Sequence, residues 1–370
     1  MKILICATEY YPHGSGIANV AYNVVEQLKK TGVDCVVCSP TGPDIKLGTQ
    51  RPFGILGLLF YWYKVATHFK KSNTQEFDAV WLHNPLFLKE SPFNNCLVTM
   101  NATAYGQANN RIYPLWLHIY KIISAKIEKF SLSKIKDSSL FTGVGTNICE
   151  ELEEIGIKSQ NIKYIPNGVN IDQFKPSKQK QYLRNKFGIP DKDLVFLNIG
   201  RLTPQKNPLK TIEVFEKIST QVNNLTLVFS GKGELKSDMD EDVKSKNLDN
   251  VLLIGYVDEE NKPDLYACAD YFIISSLYEG GEPPLTLSEA MACGLPCIAS
   301  NIPNFKIVEI SNSGIVVDFS DTNKSAEEIL NFIQKDNSEC SINARKYAVQ
   351  NLDWGIISDN YLNEFSKIVK

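Results

Sequence analysis

Residues 2–40 read KILICATEYYPHGSGIANVAYNVVEQLKKTGVDCVVCSP. An apolar run, a glycine-bearing loop, a segment whose apolar residues recur at three and four positions and a second apolar run follow one another, the pattern of a βαβ unit. The alternation returns in residues 77–84 and 94–103, in the periodic segment Leu115–Leu132, and in residues 139–146 with a helix over Asn147–Ile155. After a short strand in residues 161–168, the Lys- and Pro-bearing stretch Val169–Asp193 reads as a linker, with the boundary near Lys175. A second series then runs through residues 193–201, a helix from Pro208, and apolar runs at 225–233, 250–257, 270–276, 295–300 and 313–319. The fold class is therefore α/β, with two doubly wound parallel-sheet domains over 1–175 and 176–353 and an amphipathic helix from Trp354 to the end.

A length of 370 residues suits two well-cored domains, and 43% hydrophobic with 22% charged residues excludes intrinsic disorder. The net charge of -3 lacks the clustered basic excess of a nucleic-acid footprint. Residues 1–170 carry 17 basic and 13 acidic side chains, net +4, against 22 and 29, net -7, in the remainder, an offset that reads either as ordinary surface composition or as a first half facing an anionic partner. Cys35 and Cys38 sit in a strand-like run where positions three apart face opposite ways, which predicts buried thiols and not a metal or redox pair. The start MKILICA has none of the regions of a signal peptide, so a cytoplasmic protein is expected. The longest apolar run, Gly54–Tyr63, is too short to span a bilayer.

Gly14 and Gly16, between a strand and a helix, let backbone amides approach an anion. The third glycine of a nicotinamide-cofactor fingerprint is missing, and no Walker lysine motif exists. The loop Gly200–Pro208, at the carboxyl end of the second domain's first strand, offers Arg201 as a fork of donors and Lys206 as a point charge for phosphate oxygens. Asp238-Met239-Asp240 spells a metal-holding D-x-D but lies in a mixed-charge stretch and reads as solvated surface, so no metal ligand is assigned.

Residues 276–296, SLYEGGEPPLTLSEAMACGLP, together with Ile165–Asn170 (IPNGVN) and the Arg201 loop, resemble glycosyltransferase family 4 over essentially the whole chain. The resemblance implies the GT-B fold, two Rossmann-like domains facing a cleft with the C-terminal helix 354–370 returning to the first. It also implies retaining transfer of a hexosyl group from a uridine or guanosine diphosphate sugar to a hydroxyl of a glycan or lipid-linked acceptor, without a metal or other cofactor. By the same resemblance Arg201 and Lys206 hold the diphosphate and Glu289 the ribose, a carboxylate accepting from two hydroxyls. The sugar-holding carboxylate is Glu279 or Glu282: the usual spacing has seven intervening residues, here nine or six, and the Y-E-G context favours Glu279. Gly280, Gly281 and Leu285 belong to the same donor loop, and Gly231, Gly233 and Tyr256 lie beside the nucleotide.

The family commonly has a His after the strand Leu97–Met100, where this chain has Asn101, an amide that cannot serve as a base. His83 is either a substitute or a structural residue, and His13 carries the same two readings. Rival readings are an epimerase of the same architecture and a non-catalytic nucleotide-sugar binding protein; the IPNGVN and SEAMACGLP contexts favour the transferase. Between Arg111 and Lys136 stand Lys121, Lys126, Lys129 and Lys134 against the single Glu128, with Tyr113, Trp116, Tyr120 and Phe130 interleaved. With Gly54–Lys71, this segment predicts contact with an anionic membrane at the inner face of the cell, or else the cover of a buried helix and a soluble acceptor.

Overall fold

The computed structural model describes residues 1–11, 16–49, 54–71, 74–110 and 112–369, without the side chains of Ile17 and Lys71. His13, Gly14, Arg111 and the Lys71 side chain thus lie outside the described residues. The chain forms two compact units, Met1–Gly168 with Gly280–Glu282 and Trp354–Lys370, and Val169–Glu279 with Pro283–Asp353. The opening run of the first unit closes at Gly168, against the boundary expected near Lys175.

Numbered along the chain, the strands of the first unit are β1 (Lys2–Ala7), β2 (Asp34–Ser39), β3 (Ile45–Lys46), β4 (Ala79–His83), β5 (Leu97–Met100), β6 (Leu140–Gly143) and β7 (Ile162–Tyr164). They form one parallel sheet in the order β3-β2-β1-β4-β5-β6-β7. The second unit holds β8 (Leu194–Ile199), β9 (Leu225–Ser230), β10 (Val251–Gly255), β11 (Tyr271–Ile274), β12 (Cys297–Ser300) and β13 (Gly314–Val317), parallel in the order β10-β9-β8-β11-β12-β13. Helices α1 (Gly16–Lys30), α2 (Gly54–Lys71), α3 (Ala104–Asn109), α4 (Leu115–Leu132) and α5 (Thr146–Ile155) belong to the first unit. The second carries α6 (Lys180–Phe187), α7 (Pro208–Ser219), α8 (Lys236–Ser245), α9 (Lys262–Cys268), α10 (Leu285–Ala292), α11 (Lys306–Ile310), α12 (Thr322–Ile333) and α13 (Ser338–Asn351). Helix α14 (Trp354–Ile368) belongs to the first unit again.

The central strands are apolar on both faces because helices cover both: Ile3 to Ala7 of β1 are all buried. Helix α1 turns Ala18, Ala21, Val24, Val25 and Leu28 inward at helical spacing. Helix α14 lays Tyr361 and Phe365 on Trp81 of β4, ring centroids 4.9 and 5.7 Å apart. All nine cysteines are free thiols, Cys35 and Cys38 among the seven buried ones. Asp238 and Asp240 are exposed on α8, where Asp240 pairs with Lys236 at 2.5 Å. Among the described residues no helix is long and apolar enough to cross a membrane.

The stretch expected to be a linker contains α6. Its sparse apolar residues conceal that Arg184 is buried: Nε donates to the Cys268 carbonyl at 2.9 Å, Nη1 to those of Asp191 and Asp193, and Nη2 to the Asp270 carboxylate at 2.7 Å. A guanidinium whose donors reach three carbonyls and a carboxylate can stand in a core where its charge alone would mark a surface.

Candidate active site

In the second sheet the strand order reverses between β8 and β11, and ligands of such sheets bind in the crevice beyond the strand ends at that point. The loops leaving β8 and β11 are joined there. The Gln205 carbonyl accepts from the Leu277 amide at 2.8 Å, Gln205 Nε2 donates to the Tyr278 carbonyl at 2.9 Å, and Ser275 Oγ donates to the Asn207 carbonyl at 2.9 Å. Asn207 takes a left-handed φ of 53° between the short turn Pro204–Lys206 and α7, whose first residue is Pro208. Asparagine tolerates that backbone, and proline at the first helical position gives up an amide the helix cannot use.

This turn presents Lys206 to Glu279. The ammonium donates to Glu279 Oε1, which also accepts from Ser276 Oγ at 2.6 Å, and both side chains are largely buried. Arg201, opening the same loop, is exposed. A second pair lies on α9 and α10: Lys262 Nζ is 2.9 Å from Glu289 Oε1 and 3.0 Å from Glu259, while Tyr266 donates to Glu289 Oε2 at 2.8 Å. Burial pushes the Glu289 carboxyl up, against the Lys262 ammonium and the Tyr266 hydroxyl, which favour its ionised form. Burial also opposes the charge on Lys262, but the Glu289 and Glu259 carboxylates outweigh it and hold its pKa raised. Two lone pairs of Glu289 are thus engaged, leaving about two for a ligand.

Gly231 and Gly233 have a packing reason of their own. A Cβ at Gly231 would stand 1.8 Å from the Gly200 carbonyl oxygen, and one at Gly233 2.1 Å from that of Leu202, so the loops after β8 and β9 touch backbone to backbone. Tyr256, exposed after β10, lies under Lys232, whose ammonium is 4.7 Å from the ring centroid. Leu285 opens α10, and the hydroxyls of Thr203 and Thr286 are buried without a hydrogen-bond partner among the described residues. Lys262 and Tyr266 lie outside the motifs read from sequence, whereas Thr203, Ser276 and Thr286 lie inside them and received no role there.

In the first unit, His83 ends β4 fully buried, with its ring 4.1 Å from that of Trp81 and Nδ1 3.5 Å from Asn101 Nδ2. Burial lowers its pKa to about 3, so the imidazole is neutral. His83 Nε2 and Asn101 Oδ1 find no partner among the described residues. Asn101 is buried after β5, and its amide donates to Asn84 Oδ1 at 2.9 Å. Gly280 packs so closely that a Cβ would lie 2.4 Å from the Asn101 carbonyl oxygen. Gly281 is buried beside it, and Gly16 is exposed at the start of α1. Glu282 caps α5: its Oε2 accepts from the Thr146 amide at 2.8 Å and from the Thr146 hydroxyl. The structure therefore brings Lys206 together with Glu279 in the second unit, and Glu282 together with Thr146 in the first.

Two doubly wound parallel sheets of this kind are the architecture of the GT-B fold. The chain aligns with WaaG, a glycosyltransferase involved in lipopolysaccharide biosynthesis, at a TM-score of 0.79 and 16% identity over 98% of this chain and 99% of that one. It aligns with Anabaena HepE, in complex with UDP and glucose, at a TM-score of 0.74 and 16% identity over 99% of each. Sequence goes further. The model described as Glycosyltransferase Family 4 matches residues 14–173, and that described as Glycosyl transferases group 1 matches residues 179–349. The UDP-Gal:alpha-D-GlcNAc-diphosphoundecaprenol alpha-1,3-galactosyltransferase of Escherichia coli is 32% identical over 345 residues, 86% of this chain and 85% of that protein. The chain belongs to glycosyltransferase family 4.

Proposed function

We propose that the protein moves a hexosyl group, with retention of configuration, from a UDP-linked donor to a hydroxyl of a lipid-linked glycan. The observation that carries this reading is the Lys206–Glu279 pair at the reversal of the second sheet, with Arg201 opening the same loop. As the bond from sugar to diphosphate breaks, negative charge grows on the leaving group. Arg201, Lys206 and the first amides of α10, at Leu285 and Thr286, are charges and dipoles already in place to stabilise it. A phosphate draws Lys206 off Glu279, whose carboxylate then takes the hydroxyls of the donor sugar. Glu289 takes the ribose and Tyr256 flanks the base. Gly231 and Gly233 let the loops after β8 and β9 bring backbone close to the nucleotide, and Gly16, Gly280 and Gly281 do the same for an anion in the first unit.

The cations and amides offset the diphosphate charge without a metal. No side chain is assigned as a covalent nucleophile, so the acceptor hydroxyl attacks from the face the diphosphate leaves, its oxygen forming the new bond to the sugar as the bond to the diphosphate breaks and its proton passing to an oxygen of the departing diphosphate. The uridine donor and the lipid-linked acceptor are supported by the likeness to the Escherichia coli galactosyltransferase and, for UDP, to HepE. The reaction is proposed to occur at the inner face of the cell membrane.

The test uses purified protein, a panel of UDP- and GDP-sugars, and a short-chain lipid diphosphate bearing N-acetylglucosamine, with and without a chelator. Expected are thermal stabilisation by UDP, as ligand binding to the native state requires, and a product whose anomeric proton coupling matches the donor's. An epimerised free donor would replace this reading with the epimerase. Stabilisation without turnover would leave a binding protein. Loss of activity on chelation, rescued by magnesium or manganese, would remove the metal-free mechanism.

A further inference from the structure

Lys262 opens α9 and Tyr266 follows it by one turn, so the two side chains leave the same side of that helix. They close on the two oxygens of Glu289: the Lys262 ammonium donates to Oε1 at 2.9 Å and the Tyr266 hydroxyl to Oε2 at 2.8 Å. The Tyr266 hydroxyl also lies 3.0 Å from the Thr286 carbonyl, and its single proton goes to the charged acceptor. Glu259, in the turn before α9, holds the ammonium from its other side at 3.0 Å. The Lys262 side chain is 12% exposed and that of Glu289 9%, so neither charge is left to water.

An ionised carboxyl has about four lone-pair sites, two on each oxygen. Lys262 takes one on Oε1 and Tyr266 one on Oε2, so one on each oxygen stays open. Two hydroxyls on adjacent carbons supply one donor to each. A single hydroxyl leaves a lone pair of a buried anion unmet, which is unfavourable. Without Lys262 the match fails twice. Oε1 then has both its sites free, and burial favours the protonated carboxyl, which turns one of the two acceptors into a donor.

We infer that Lys262 is a positioning residue for donor choice: acting through Glu289, it fixes a carboxylate with one open acceptor on each oxygen and so selects a nucleotide with a ribose diol over a deoxynucleotide. Lys262 does this without touching the nucleotide. Glu259 keeps the ammonium in place, and Tyr266 sets the second oxygen as Lys262 sets the first. The inference rests on the proposed contact between Glu289 and the ribose, and adds to it the group that makes the contact selective.

Calorimetric titration with UDP, 2′-deoxy-UDP and 3′-deoxy-UDP tests it with no acceptor present. The parent is expected to bind UDP on the order of 30-fold more tightly than either deoxynucleotide, the worth of a hydrogen bond to a charged group. Lys262→Met should bring the three affinities close together, and raise the donor KM with little change in kcat. Lys262→Arg, which keeps the charge, should restore much of the preference. Tyr266→Phe deletes a hydroxyl and no charge; it should weaken the preference by a smaller factor, and it carries the test if Lys262→Met does not fold. A folded Lys262→Met or Tyr266→Phe protein that discriminates like the parent would overturn the inference. So would loss of affinity by the same factor for all three nucleotides, the mark of a residue that only holds α9 to α10. A parent that binds the three equally would remove the ribose from Glu289 and the inference with it. A parent that discriminates while its Lys262 variants do so undiminished would leave the proposed ribose contact standing without Lys262.

Discussion

At the strand ends of the second unit, charged groups stand in opposite pairs, Lys206 with Glu279 and Lys262 with Glu289. In the first unit burial opposes charge: it lowers His83, at the end of β4, to about 3 and raises Glu128, on α4, to about 7. The backbone amides of Ala104 and Tyr105 pull Glu128 the other way and the nearby Glu151 adds to the rise, but burial dominates. One unit keeps buried ion pairs that an ionic ligand can exchange into; the other buries His83 and Glu128 where burial opposes their charge.

The largest expected effect comes from breaking the deeper pair. Lys262→Met leaves Glu289 buried without its cation and should cost about 3–5 kcal/mol of stability, read as a shift in the urea midpoint. Adding Glu289→Gln should restore much of it. A single variant as stable as the parent would show that the pair does not hold α9 to α10. Next, Arg201→Ala and Lys206→Ala should each slow turnover on the order of 100-fold, as loss of transition-state charge stabilisation does, while the protein stays folded at the assay temperature. Near-normal rates in both would take the ionic role away from this loop.

The neutral side of the comparison is sharpened by pH. Glu128 keeps its proton in the folded chain to about pH 7, against an ordinary value near 4.5, so its contribution is full at low pH and is lost as pH rises between the two. Glu128→Gln should remove a decline of about 3 kcal/mol across that window, seen as a flatter stability profile than the parent's. Taking the difference between the two proteins cancels His83, whose lowered pKa acts in the opposite sense, losing stability as pH falls below its unfolded value of about 6.5. An unchanged slope would mean that Glu128 is ionised at its cap. The smallest effect separates the two glutamates of the donor loop. Glu282→Ala should cost about 1 kcal/mol as a lost helix cap with donor kinetics little changed, whereas Glu279→Ala should impair turnover with the donor sugar. The reverse result would make Glu282 the sugar-holding residue.

Both sheets were legible because their strands are covered on both faces, so β1, β4, β8 and β9 appear as continuous apolar runs between periodic helices. Helix α4 was legible end to end from its periodicity. Helix α6 was not, because its anchoring residue is an arginine whose partners are mostly carbonyls distant in sequence. Of the site, Lys206, Arg201 and the glutamates stood out through their motif. Lys262 did not: its role depends on α9 packing beside α10, a contact 27 residues apart that no local pattern encodes. The direction of Glu128 was hidden likewise, since a lone acid on a basic helix reads as solvated until the helix it caps is seen.

The return of α14 to the first unit bears on how the protein is made. Trp354 emerges from the ribosome 186 residues after Gly168, an interval of about 10–40 s at ordinary rates of synthesis. Through that time the Trp81 ring lacks the Tyr361 and Phe365 that cover it in the finished chain. The first half is thus the first to be synthesised and the last to be completed, and a nascent chain stalled anywhere in between carries an uncovered aromatic face. Ribosome-bound intermediates ending before Trp354 should therefore recruit chaperones through the first sheet, and release should follow the emergence of the last helix.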